Sequence, residues 1–212
     1  MFQGFDTLLE KQRIKVHIIR PRTVYAEEMS LFMDSSIYKR IAFIFSIVGL
    51  TVEFLSFVSP FWISKTFTNG TTINVGLWLT CVDLDCTGIS NRPAWLTVAA
   101  VFDLLSLLFG LTCIVCLSLF IFKPQLLPKT RRWPLIVVTI FSLVEAVLQQ
   151  IGCAVFLKAV HDSPQSTSLL PQNAFASLSW AVALSVLGVI FYTVVCILLF
   201  TDLVRICFAV PN

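Results

Sequence analysis

The chain has 212 residues, of which 57% are hydrophobic and only 13% charged. That charged share is about half what a soluble domain carries, and so little polar surface cannot screen so much apolar side chain from water. A water-soluble fold is excluded, and lipid is the expected solvent.

Residues 1–38 read as a cytoplasmic tail. They lack the apolar core and small-residue cleavage site of a signal peptide, and Phe2 excludes N-myristoylation. Lys11, Arg13, Lys15, Arg20 and Arg22 are interleaved with Ile14, Val16, Ile18 and Ile19. Two readings stay open for this stretch: a tail obeying the positive-inside bias, or a segment lying on an anionic inner leaflet.

A helix crosses a bilayer with about 20 apolar residues, and residues 41–61, 94–122, 135–157 and 174–200 each meet that length. The second, at about 29 residues, would be roughly 43 Å long and must tilt or project beyond the bilayer. Together, residues 39–204 form a four-span membrane domain and 205–212 a short cytoplasmic tail. Orientation follows from the cations. Lys11, Arg13, Lys15, Arg20, Arg22, Lys39 and Arg40 precede the first span. Lys123, Lys129, Arg131 and Arg132 lie between the second and third, and Arg205 follows the fourth. Lys65, Arg92 and Lys158 are left for the other side. Both ends and the middle loop are therefore expected in the cytoplasm, and residues 62–93 and 158–173 outside.

The first outside loop holds most of the information. Polar and apolar residues alternate around Asn69-Gly70, a strong hairpin signal, so a small antiparallel sheet is expected. Asn69-Gly70-Thr71 is also an N-glycosylation acceptor. Cys81 and Cys86 are the cysteines of the outside loops, where the compartment is oxidising, and pairing is the simplest outcome. No metal site is expected, since His161 is the one further soft ligand there. The second outside loop is short and polar, with turns at Ser163-Pro164-Gln165 and Leu170-Pro171.

Trp62, Gly76-Leu77-Trp78, Cys81 and Cys86 resemble the W…GLW…C…C signature of the superfamily that joins claudins to the peripheral myelin and epithelial membrane proteins. Arg92, just before the second span, sits where claudins commonly carry an arginine, and Phe175-Ala176-Ser177 with Trp180 loosely resembles the opening of their last helix. The likeness in hydropathy and loop order covers about residues 38–205. It implies a mainly α membrane fold, a left-handed four-transmembrane-helix bundle capped by a five-strand extracellular antiparallel sheet. Under it, Trp62 and Trp78 would anchor at the lipid–water boundary. The chain departs from typical claudins in its closely spaced cysteines, its long N-terminal segment and its ending. Phe208-Ala209-Val210-Pro211-Asn212 offers no PDZ-type C-terminal ligand. A divergent member is implied.

Glu53, Asp103 and Glu145 fall inside the first three spans, where acids are costly and functional candidates by default. They could define a proton or cation path, carry protons, or bond to Gln149, Gln150 or Ser142 across helices; structural bonding is the expectation. Glu53 and Asp103 are expected at similar depth. Ala181-x-x-x-Ser185 with Gly188 gives the last span a close-packing face, expected to serve the bundle itself. Cys113, Cys116, Cys153 and Cys196 read as core filler, and Cys207 beside the inner leaflet as a palmitoylation candidate.

No enzyme constellation, cofactor motif or nucleic-acid surface is expected: His17 and His161 lie on opposite sides, and the basic stretch from Lys123 to Arg132 is a positive-inside loop. Beyond the bilayer, the expected partner is another membrane protein or a second copy. A non-catalytic auxiliary subunit of a channel or receptor, or a membrane organiser, is the first reading. A claudin-type junction component is the second. There the loop's Lys65 and Arg92 would cancel Asp83 and Asp85, predicting a barrier without sharp charge selectivity.

Overall fold

A computed structural model describes residues 35–67, 70–83, 85–89, 92–122, 132–162 and 177–208. The chain divides into Met1–Asp34 and Ser35–Asn212, and the described residues belong to the second unit. The expectations for the tail before Ser35, for Asn69, for the second outside loop after Asp162 and for residues 209–212 lie outside the described residues.

Four long helices form the body: α1 (Ile37–Val58), α2 (Ala94–Phe122), α3 (Arg132–Asp162) and α4 (Trp180–Phe208). Each is long and apolar enough to cross a membrane. A helix is the natural solution there, because it satisfies every interior backbone group within its own segment. The helices pack as a closed ring, α1 on α2, α2 on α3, α3 on α4 and α4 back on α1. Large apolar side chains such as Phe54, Leu108, Leu111, Ile140 and Ile190 are exposed on the outside. An apolar surface of that extent suits lipid and not water.

Several helix ends differ from the sequence reading: α1 starts at Ile37, and α3 overruns the expected 135–157 span at both ends, so Lys158 and His161, expected in the second outside loop, are helical. α1 stops at Val58, short of Phe61, because a residue before proline is pushed out of helical geometry; Ser59, preceding Pro60, is extended at φ −71°, ψ 135°. Phe61 N–H is then held by the Ser59 hydroxyl at 3.1 Å. α4 starts at Trp180 because Ser177–Leu178 is drawn into the sheet. At its other end α4 continues to Phe208, so Arg205 and Cys207 are helical, where a separate tail was expected.

The loop between α1 and α2 folds into β1 (Ile63–Thr66), β2 (Thr72–Val75), β3 (Leu79–Val82) and β4 (Asp85–Gly88). All pairings are antiparallel, and a two-residue β5 (Ser177–Leu178) adds to β1, giving the order β4-β3-β2-β1-β5. The β1–β2 hairpin turns through Gly70 at φ +88°, a backbone value that glycine adopts without penalty. The stretch from Thr72 to Val82 forms two strands, folded at Gly76, whose N–H bonds the Leu79 carbonyl at 2.8 Å. Ile63, Val75 and Leu77 of this sheet share one apolar core with Leu96, Ala99 and Ala100 of α2, Phe156 of α3 and Ala181 and Val182 of α4. The sheet is thus seated on one end of the bundle.

Candidate functional site

Two groups of chemistry-bearing residues emerge, one at the sheet end and one inside the bundle. At the sheet end, Trp62 is completely buried. Its indole N–H donates to the Ser56 carbonyl at 2.8 Å, one of the last carbonyls of α1, and its ring meets Phe156 edge-on with centroids 4.6 Å apart. The wet interfacial anchor expected of Trp62 is not what the fold uses, because the sheet closes over the ring. Trp78 is half-buried against Phe57, at 5.2 Å between centroids. Arg92 lies 4.5 Å over the Trp78 ring and donates to the Leu77 carbonyl. Gly76 is required by space: a Cβ there would overlap the Ser59 carbonyl oxygen and come within 2.6 Å of Pro60 Cα.

Cys81 and Cys86 form a disulfide directly across the β3–β4 ladder. The hairpin between them turns at Asp83, φ +53°, whose carboxylate accepts the Thr72 N–H at 2.8 Å. Trp62, Leu77 and Trp78 thus pack the sheet on the helices, Gly76 lets it approach Ser59 and Pro60, Arg92 ties Trp78 to the Leu77 carbonyl, and Cys81 and Cys86 join β3 to β4 within the sheet. None is arranged as a reactive centre.

The expected cancellation of charge on this sheet fails at its surface. Lys65 is buried, with Nζ 4.5 Å over the Phe67 ring, and Arg92 is engaged by Trp78 and Leu77. Asp83 and Asp85 stay exposed. The alternation of β1 explains this: Lys65 shares the inward face with Ile63, two residues away.

Inside the bundle, Glu53, Asp103 and Glu145 are all buried, at 1%, 2% and 0% exposure. Ser106 Oγ donates to Glu53 Oε1 and also to the Asp103 carbonyl at 2.8 Å, so Glu53 and Asp103 do share a level. Glycines make room for the polar heads. A Cβ on Gly152 would lie 2.8 Å from Asp103 Oδ1, one on Gly188 2.7 Å from Gln149 Nε2, and one on Gly110 2.7 Å from the Tyr192 hydroxyl. Tyr192 O–H donates to the Ser46 carbonyl at 3.2 Å.

The hydrogen-bond partners expected for these acids are largely not the ones used. Ser142 donates to its own helix, at Thr139 O, 2.9 Å. Gln150 is exposed on the outside of α3, because 100° of helical rotation separates it from buried Gln149. Glu145 keeps both carboxyl oxygens unpartnered, Gln149 both amide atoms, Asp103 its Oδ1 and Glu53 its Oε2, while the Ser185 hydroxyl meets the Cys153 thiol. Among the described residues no group of three His, Cys, Asp or Glu is spaced to hold a metal ion.

Ala181, Ser185 and Gly188 face inward, and Ser56 Oγ donates to the Ala181 carbonyl at 2.7 Å. Their close-packing face serves the bundle. Cys113 and Cys153 are buried, Cys116 and Cys196 half-buried, and Cys207 exposed at the end of α4. The sequence reading missed Asp202, which pairs with Lys39 at 3.3 Å and accepts Ser36 Oγ at 2.7 Å, while Lys39 lies 4.5 Å from the Phe120 ring centroid. This clamp ties α1 to α4 at the end away from the sheet. Its signal was an acid three residues before Arg205 in an otherwise apolar helix.

Comparison of the chain with protein-family signatures and with curated proteins finds no match.

Proposed function

We propose that the chain is a claudin-like, non-enzymatic plasma-membrane protein that acts by contact with another membrane protein, as an auxiliary channel or receptor subunit or a membrane organiser. In this reading the bundle is left-handed, both termini are cytoplasmic and the sheet lies outside. The distribution of cations supports that orientation, as does a disulfide that needs an oxidising compartment.

Gln150 carries the proposal. It stands near the middle of α3, exposed on a stripe with Leu143, Val147, Ile151 and Ala154. Exposed hydroxyls elsewhere on the bundle are satisfied within their own helices: Thr51 donates to Ile47 O, Thr112 to Leu108 O and Thr193 to Val189 O. A glutamine amide facing lipid needs a partner from another chain, and such an interhelical bond contributes about 0.6–2 kcal/mol. Mild-detergent pull-down from native tissue, comparing the wild type with Gln150→Leu, tests this. One channel or receptor recovered in fixed proportion, and depleted by Gln150→Leu, is expected. Equal recovery by both forms would remove α3 as the contact face.

The exposed acids keep a second reading, a claudin-type junction component. With Lys65 and Arg92 drawn inward and Asp83 and Asp85 outward, such a junction would favour cations, in place of the neutral barrier that summed charges suggest. Recovery of only the chain itself and junction proteins, enriched at cell contacts, would favour this reading.

A further inference from the structure

We infer that α3 carries the seam of a parallel homodimer, in which Gln150 bonds the same residue of a second copy across a two-fold axis normal to the membrane. The inference rests on the reading of Gln150 as a contact residue and names what meets it. The pair is then the unit on which a channel or receptor docks.

Sequence and burial place the seam. Ile140, Leu143, Val147, Gln150 and Ala154 recur at alternating steps of three and four residues, and all are exposed on one face of α3. Such steps keep one side of a helix against a neighbour crossing at about 20°, the commonest arrangement of helices in membranes. Spacing alone does not choose α3, because a helix packed on one side leaves a stripe of this kind on the other. Chemistry does. On the other helices exposed Thr51, Thr112, Thr193 and Thr201 each return their hydroxyl to their own backbone. Gln150 brings two amide donors and a carbonyl acceptor to the outer face near the middle of the span. Its side chain is too short to reach the headgroups, about 15 Å from the bilayer centre.

Two features commit the seam to a second copy. A primary amide is its own complement: each of two facing glutamines donates an N–H and accepts at its carbonyl, giving two bonds without a third group. Copies inserted with the same topology are related by a two-fold axis along the membrane normal, so their α3 helices run parallel and a residue on the axis meets itself at its own depth. A foreign helix would have to supply a polar group at that level; a second copy does so by symmetry. Ala154, one turn further on, is small enough to let the two backbones close to bonding distance. The β-branched Ile140 and Val147, alternating with Leu143, form the pattern that favours two strands.

Purified full-length chain in liposomes, as donor- and acceptor-labelled copies with no other protein, tests this by energy transfer at rising lipid-to-protein ratio. Transfer that unlabelled chain competes away is expected. Gln150→Leu should weaken the association about tenfold, the worth of two interhelical bonds at the strength found in membranes. Geometry is read separately in a Cys207→Ser background, since Cys207 is exposed. There Ala154→Cys is expected to cross-link to its own copy under copper–phenanthroline oxidation, and Leu111→Cys, on the outer face of α2, is not. A monomeric wild type overturns the inference. So does Gln150→Leu associating as tightly as the wild type, or cross-linking by the Leu111→Cys form in place of the Ala154→Cys form. These outcomes stand apart from those of the pull-down. A monomeric wild type whose tissue partner is still depleted by Gln150→Leu removes the second copy and keeps the contact reading. A dimer broken by Gln150→Leu, with no foreign protein recovered from tissue, removes the contact reading and keeps the seam.

Discussion

The sheet end and the bundle interior differ in what their buried polar groups meet. At the sheet end the Trp62 indole has Ser56 O, Arg92 has Leu77 O and the Trp78 face, and Asp83 has the Thr72 amide, whereas Trp78 Nε1, Lys65 Nζ and Asn74 Oδ1 have no hydrogen-bond partner. In the interior, Glu145 and Gln149 are as deeply buried and have no hydrogen-bond partner. The contrast separates two meanings of a buried polar residue. One kind fixes how elements dock, and its removal is read as lost stability. The other sits in the interior without a hydrogen-bond partner and sets the polarity there.

Substitutions can widen or collapse that difference. Trp62→Ala removes the largest fully buried side chain and should destabilise the fold by about 3–5 kcal/mol, measured by melting in nanodiscs; near-wild-type melting would dissolve the docking role. Gly76→Ala should come next, at about 3 kcal/mol, because the added Cβ meets the backbone of Ser59 and Pro60, which cannot swing aside. Gly188→Ala meets only the flexible end of Gln149 and should cost clearly less. Equal losses at the two glycines would remove the distinction. Paired Cys81→Ser and Cys86→Ser changes should cost about 2 kcal/mol, the chain-entropy value for so short a ring, while the four helices persist by circular dichroism. Leu111→Ala, on the lipid-facing surface of α2, should stay within about 0.5 kcal/mol.

The spans were legible because a run of apolar residues has few alternatives at bilayer length, and the β1–β2 hairpin because Asn69-Gly70 is a strong turn signal. The start of α4 was not legible. Ser177–Leu178 pairs with β1, a contact more than a hundred residues away in sequence that no local preference reports. Nor could the sequence sort Gln149 from Gln150. α3 is apolar on most sides, so periodicity does not mark its inner face, and only packing against Gly188 shows which amide turns inward. Trp62 was read as a wet interfacial anchor, and its burial rests on long-range contacts, with Phe156 among them, that the local sequence does not report. Asp202 escaped because its partner, Lys39, lies at the far end of the domain's sequence.

The central claim is a chain that crosses the bilayer four times, with its disulfide-closed sheet outside and both termini inside. Epitope tags at the two termini, with a third inserted at Gly70 in the β1–β2 turn, measure it in cells. The account predicts that antibody reaches the Gly70 tag in intact cells and the terminal tags only after permeabilisation. Terminal tags stained in intact cells, with the Gly70 tag protected, would place the sheet in the reducing cytoplasm and contradict the account.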